Sequence, residues 1–592
     1  MRTILALSLV MTLTAAAQSK PPELPSGYWP LAKSEEILKK TETIRLAPDL
    51  SSLTADEKAG LKDLLEVGTF MQKLYEEQLH HQAAYALDRL KVVDIQLGQP
   101  KATQNLLDLY RLNKGPIAST LTNEREAFLP VDDQRPTRNM YPLDATKEEI
   151  DAFLAANPAM REEILGERTV VRRATKENIG RDLNVLNVYA ELRALHPEEN
   201  ERLREARQGP GNPKFFYAVP YSIAYADFLV PAFRLLTRAS NSFHASDPEF
   251  ARYLRNRARD LLSNDYESGD ASWVTGHFKK FNAQIGAYET YDDALYGVKA
   301  FHSASFLLLN QQATEELRKA LGGLQAIEDA LPYEHHKRVK EDIPVGVYEV
   351  IADYGQARGT NTATILPNDA LFSRRYGRTI LLRENIMKNP DIFAADQRVW
   401  KTAALDAHGN DLAAEGNFQR TLWHEIGHYL GVDRDKQGRL LDVALEDYAD
   451  SIEEMKSDLV SLFALHRMNH PSLRAIQASG IRRTLQNVKP RRDQPYQTMQ
   501  LVQFNWFLEH GLIEADPKTA RLKINYAKYP EAVQSLLAET LKLQHEGDKA
   551  AAAAFFDRWT KWTPEVHEKL AARIRDAQGA RFRNVYYAAL GE

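Results

Sequence analysis

Cysteine is absent from all 592 residues. That excludes disulfides, thiolate metal ligands, a cysteine nucleophile and an acylated lipoprotein cysteine. Any metal must be held by nitrogen and oxygen. Past the N-terminus no segment offers about 18 consecutive uncharged apolar residues, so the sequence predicts no internal membrane span. A Gly-rich phosphate loop of Walker or Rossmann type is missing, as are low-complexity tracts and fixed-period repeats. Charge of one sign is missing too. Lys and Arg number 76 against 81 Asp and Glu, which gives no reason to expect nucleic acid or an anionic membrane as partner.

What is present begins with MRTILALSLVMTLTAAAQSK. One basic residue, an apolar run and the small residues Ala15-Ala16-Ala17 predict a signal peptide over residues 1–17. Export to the periplasm or medium is the corresponding expectation, with a retained N-terminal anchor helix as the alternative. The length is too great for one hydrophobic core, so two or more lobes are expected. Thr54-Ala55-Asp56-Glu57 is a capping box, and the periodicity after it predicts a helix to about residue 90. Residues 114–145, with four prolines, read as loop. Helical patterns follow at 147–157, 175–208 and 245–265, with a break at 209–215. Residues 343–384 are β-branched and alternating, which predicts several strands in an antiparallel or mixed sheet. From about 396 to 580 the pattern is helical.

The stretch TLWHEIGHYLGV (421–432) carries the chemistry. One helical turn puts His424 and His428 on the same face, at a spacing that can grip one ion. Glu425 lies beside that face, where it can take a proton from an activated water rather than ligate. Gly431 suits a helix C-cap and would leave both histidines in the last two turns. Two imidazoles leave a tetrahedral zinc one protein ligand short. Residues 444–465 (ALEDYADSIEEMKSDLVSLFAL) form an amphipathic helix with Glu454 and Asp458 four apart on one face. E-x-x-S-D (454–458) resembles the third-ligand helix of the thermolysin-like gluzincins, which implies Glu454 as third ligand and Asp458 as the carboxylate that fixes His424 through its other ring nitrogen, with the neighbouring Glu453 as further carboxylate support. The bland alternative is a histidine pair sharing a helix, beside a solvated charge run.

These motifs resemble those of the dipeptidyl-peptidase III family of zinc peptidases. HEIGH is similar to that family's HExxGH, and EEMKSD (453–458) to its EExxx(D/E). DLSSLTADEKAGLKDLLEV (49–67), NMYPLD (139–144), IGAYETYDDALYGVKAF (285–301), LPND (366–369) and WFLEHGLIE (506–514) resemble family stretches in the same order. The resemblance implies an α+β protein of two lobes separated by a cleft. One lobe is mostly helical and bears one zinc ion; the other is mixed, with a small β-barrel-like sheet. The corresponding division is 18–300 with 335–395 for the mixed lobe, 301–334 with 396–580 for the helical lobe, and a C-terminal segment, 581–592.

The resemblance further implies hydrolysis of short oligopeptides with release of N-terminal dipeptides. Glu289, Tyr291, Asn368 and Asp369 are the substrate-facing candidates. Tyr496 aligns with a family histidine that assists the transition state and is the candidate oxyanion donor; the alternative is a half-buried core aromatic. The chain departs from the pattern in its five-residue HExxH. It departs again at Asn282-Ala283-Gln284, where the family carries Glu-x-Tyr. A peptide-binding protein of the same fold and a zinc aminopeptidase are the rival readings.

Overall fold

In the computed structural model the described residues are 24–339, 344–357, 359, 361–366, 375–376, 379–491 and 494–592. The signal-peptide segment 1–17 and the candidates Asn368 and Asp369 lie outside them.

The chain divides into two compact units. The smaller comprises residues 24–38 and 82–134. It holds three helices, Leu31–Leu38, Ala83–Gln96 and Lys101–Asn113, and a hairpin of Ile117–Ser119 with Arg125–Ala127. The hairpin falls where the prolines predict only loop. The larger unit comprises residues 39–81 and 135–592 and contains everything of chemical interest below.

The larger unit opens with helix α1, Ala55–Leu79. Its capping box is complete: Thr54 Oγ1 accepts from the Glu57 amide and the Glu57 carboxylate accepts from the Thr54 amide. The helix stops at Leu79, short of the expected residue 90, because His80 turns to an extended conformation. The predicted helix over 175–208 is three, Lys176–Val188, Ala190–Leu195 and Pro197–Gln208. Pro197 opens the last of these, where its missing amide costs nothing.

The sheet is built from β1 (Phe281–Glu289), β2 (Phe301–Leu309), β3 (Val345–Gly355), β4 (Ala363–Leu366) and β5 (Thr379–Arg383), in the order β1-β2-β3-β5-β4. It is mixed: β3 and β5 are parallel and the other pairs antiparallel. The expected barrel-like closure is not found among the described residues; the sheet is open, with β1 and β4 at its edges.

Two hydrophobic cores lie in this unit, and β3 and β5 contribute to both. Leu381 packs into the first core, while Ile380 and Leu382 pack into the second. A strand buried on both faces needs a continuous apolar run, and TILLR supplies one. The second core is helical: α2 (Pro390–Ala403), α3 (Ala414–Gly427), α4 (Ala449–Arg467), α5 (Leu473–Thr484), α6 (Pro495–Glu509) and α7 (Tyr529–Glu546). The fold is α+β, with a mixed part and a helical part.

Candidate metal centre and its cavity

The centre forms where α3 crosses α4. Gly427, the fourth residue of HEIGH, makes the crossing possible. A Cβ there would meet the Ser457 carbonyl oxygen at 2.7 Å and the Ser457 Cα at 2.9 Å. The two backbones therefore touch at a position only glycine allows. α3 ends at this residue. His428 is its C-cap, and Gly431 lies beyond it at φ +81°, so the helix is one turn shorter than the glycine at 431 predicts. Lys456, fully buried on α4, donates to the carbonyls of Gly427 and Leu430 and satisfies this helix end. α4 begins at Ala449 rather than at 444, after a break at Glu446 with φ +48°.

The crossing groups His424, His428 and Glu454, with one ligand atom of each within 4.8 Å of the others. His424 Nε2 lies 3.1 Å from Glu454 Oε2, and His428 Nε2 lies 3.9 Å from Glu454 Oε1. Ligands about 2.0–2.2 Å from a tetrahedral zinc stand roughly 3.3 Å apart, so the spacing suits one ion. Each Nδ1 is turned away from the centre and held by a carboxylate. His424 Nδ1 is 2.7 Å from Asp458 Oδ1, and His428 Nδ1 is 2.9 Å from Glu453 Oε1. Both Nε2 atoms are thereby presented on the same side. Glu454 Oε2 is buried and has no hydrogen-bond donor beyond the His424 Nε2 edge 3.1 Å away. A buried carboxylate oxygen without a further donor is costly unless a cation completes it. The three residues therefore fit zinc.

The electrostatics agree. Burial alone would favour a neutral His424, but Asp458 and Glu454 outweigh it and raise its pKa to about 9. Burial would likewise protonate Glu453, yet Lys456 and His428 bring it down to about 2. Asp458 is buried and is still held far below the usual carboxylate range by Arg483, His424 and Arg420. The surroundings thus stabilise positive charge at His424, whether a proton or a metal ion supplies it.

Asp458 serves more than His424. Its oxygens accept from Arg420 Nη1 (3.2 Å) and from Arg483 Nε (2.8 and 3.1 Å), and Gln503 Nε2 is at 3.4 Å. Spacing on one helix singled out Asp458. Nothing in the sequence marked Arg420, Arg483 or Lys456, because each reaches the centre from another turn or another helix.

Beside the centre lies a cavity of about 510 Å³. His424 and Glu425 line it at one end, together with Tyr496, the second residue of α6. Tyr496 is 50% exposed, so it is no core aromatic; its hydroxyl donates to Glu454 Oε1 at 3.1 Å. Burial and the neighbouring Glu454 push that hydroxyl up to about 12, so it remains a donor across the neutral range. Glu289 ends β1 and Tyr291 follows it at 66% exposure; neither lines this cavity. Asn282 and Gln284 are also engaged elsewhere. Asn282 accepts from Trp273 Nε1 at 2.7 Å and donates to the Tyr348 hydroxyl, and Gln284 accepts from Arg383.

No family model matches the chain. Among curated proteins it is 23% identical over 571 residues to Nudix hydrolase 3 of Arabidopsis thaliana, covering 89% of this chain and 70% of that protein. Among solved structures, dipeptidyl-peptidase III from Caldithrix abyssi superposes with a TM-score of 0.78. It is 22% identical and covers 94% of this chain and 99% of that one. Dipeptidyl-peptidase III from Corallococcus sp. strain EGB gives a TM-score of 0.68 at 23% identity, over 95% and 98%. With nearly the whole of both chains superposed, the protein has the fold of the dipeptidyl-peptidase III structures.

Proposed function

We propose that this chain is a zinc-dependent exopeptidase of the dipeptidyl-peptidase III type, which hydrolyses short oligopeptides and releases N-terminal dipeptides. The observation that carries the reading is the donor set at the helix crossing. Two histidines have their outer nitrogens fixed by carboxylates, and Glu454 has a buried oxygen with no donor beyond the His424 edge.

Zinc bound to His424, His428 and Glu454 would polarise the scissile carbonyl and make a water acidic enough to attack near neutral pH. Glu425 lines the cavity next to His424. It receives the proton and returns it to the leaving amine. Asp458 and Glu453 hold the two rings in the tautomer that leaves each Nε2 free to ligate. Tyr496, half exposed, turns its hydroxyl from Glu454 to the carbonyl oxygen as negative charge develops there.

The test is mass spectrometry of a defined mixture of short peptides incubated with zinc-loaded protein, beside chelated protein and Glu425→Gln. N-terminal dipeptides from the loaded wild type alone are the expected result. Single amino acids would move the protein to the aminopeptidases.

A second reading, a peptide-binding protein with little hydrolysis, has one observation in its favour. Where the family carries Glu-x-Tyr, this chain's Asn282 and Gln284 spend their side chains on internal hydrogen bonds. Intact peptides recovered bound to zinc-loaded protein would select it. Export with cleavage after Ala17 belongs to the same proposal, and N-terminal sequencing of the mature protein tests it. Among the described residues no helix is long and apolar enough to cross a membrane.

A further inference from the structure

The cavity beside Glu425 runs along α3 toward its N-terminus, past Thr421, Arg420 and Asn417. Its wall is rich in arginine. Arg420, Arg482 and Arg483 gather there; Asp396 and Glu425 also line the cavity, Asp458 lies behind it, and Glu454 acts on Arg483. The pairings are unequal. Asp396 accepts from Arg482 Nη2 at 2.7 Å and from Asn417 Nδ2 at 3.0 Å. Asp458 must serve both Arg420 and Arg483 as well as His424. Asp458 is thus shared, and its arginines are not all fully hydrogen-bonded.

The unspent donors are on Arg483. Arg420 is buried and all three of its nitrogens donate, to Ser479, Asp458 and Thr421. Arg483 is different. Only its Nε is engaged, by both oxygens of Asp458. Its side chain keeps 27% exposure, and among the described residues its two terminal nitrogens donate to nothing. A guanidinium anchored at Nε with its fork left open is a preformed receptor for a carboxylate, because the two remaining N–H groups match two oxygens. The lining also includes the apolar side chains of Ile386, Met387, Ile392 and Leu485, which suit an aliphatic peptide side chain.

We propose that Arg483 binds the C-terminal α-carboxylate of the peptide, so that this chain acts on peptides whose carboxyl terminus lies only a few residues past the scissile bond. The inference rests on the peptidase reading for the identity of the ligand, but not for the existence of the carboxylate site. His424, Arg420 and Arg483 all reach Asp458 Oδ1, so the open fork lies one carboxylate away from a metal-binding ring. A peptide carboxylate held there leaves room for only a short extended stretch past the scissile bond, at about 3.3 Å per residue. Tripeptides and tetrapeptides are the corresponding substrates when a dipeptide is released.

The experiment compares three peptides: tetra-alanine as the free acid, tetra-alanine amide, and an amidated tetrapeptide of alanine with one glutamate. Binding is measured by calorimetry on the full chain after chelation, and cleavage on the zinc-loaded chain. Wild-type protein should bind the free acid at least tenfold more tightly than the amide, with or without zinc. Arg483→Gln should abolish that preference, and Arg483→Lys should keep part of it. Zinc content of each variant separates loss of the carboxylate site from collapse of the Asp458 network.

Equal binding of acid and amide by wild type overturns the proposal, as does an acid preference that survives in Arg483→Gln. Tighter binding of the glutamate amide than of the free acid overturns the α-carboxylate assignment in favour of an acidic side chain. Cleavage without acid preference sinks this inference and leaves the peptidase reading standing. Acid-selective binding without cleavage does the reverse.

Discussion

Two buried charge networks stand in the two cores, built from the same ingredients with opposite results. In the helical core Asp458 is surrounded by His424, Arg420 and Arg483, and its carboxyl is held far below the usual range. In the mixed core Arg257 is fully buried beside Asp260, 3.3 Å away, and Asp270. There burial outweighs the arginine, and the Asp260 carboxyl is raised to about 6. Two acids share one arginine in the mixed core; two arginines and a histidine share one acid in the helical core. The first balance is inward-looking: Tyr288 and Ser268 donate to Asp270 and Asp260, and the Arg257 nitrogens left without a hydrogen bond are buried and do not line the cavity beside the metal centre. The second leaves cationic donors and a histidine edge on a cavity wall. The comparison teaches that buried charge by itself marks structure as readily as function. The distinguishing sign is which polar atoms remain unspent and whether they face a space.

The largest effect expected is that of Glu425→Gln. It should keep zinc and lose turnover by about 10²–10⁴-fold, as removal of a general base does; metal analysis beside peptide cleavage checks both halves. Near wild-type turnover would remove the functional side of the comparison.

Asp458→Asn and Arg257→Met, made in parallel, sharpen it. Each leaves buried charges without their partner and should cost about 3–5 kcal/mol in urea unfolding. Only Asp458→Asn should also weaken zinc, by about 10–100-fold in a competition assay, because only Asp458 supports a proposed ligand. Equal effects on zinc would erase the distinction between the two networks.

Gly427→Ala comes next. The added methyl meets the Ser457 backbone, and overpacking of this kind costs about 1–3 kcal/mol. Zinc affinity should fall with stability, since the helix crossing sets the ligand spacing.

The smallest effect is a difference in pH dependence. Asp260 has a folded pKa of about 6, above its unfolded value, so the folded state binds more protons between the two. Its contribution to stability therefore improves as pH falls from about 7 toward 4, with a slope approaching 1.4 kcal/mol per pH unit. Asp458 has the opposite sign. Its depressed pKa gives stability that is present above the ordinary carboxylate range and lost as pH falls below it. Unfolding measured at pH 4.5 and 6.5 for wild type and Asp260→Asn isolates the first contribution, and the variant should lack it.

Several features were legible from local pattern because their physics is local. The capping box at Thr54, the strands after 343 and the pairing of His424 with His428 each depend on residues within one or two turns. The second helix with Glu454 and Asp458 was legible for the same reason, since both side chains sit on one face. The end of α1 at Leu79 was not, because the helical periodicity continues past a break that one extended residue makes. The end of α3 at Gly427 was not, because what stops the helix there is Ser457 and Lys456 of another helix.

By itself the sequence determined the donor chemistry. With no cysteine, only histidine and carboxylate were left to hold a metal, and the helical period fixed which of them could act together. Tertiary structure alone decided the rest. It gave Asp458 two arginines, left Glu454 an oxygen without a donor beyond the His424 edge, turned Asn282 and Gln284 to internal bonds, and placed Arg483 with an open fork on a cavity wall. These contacts join residues 9 to 99 positions apart on different elements, and no local pattern encodes them, because burial, hydrogen-bond supply and charge balance are properties of the space where elements meet.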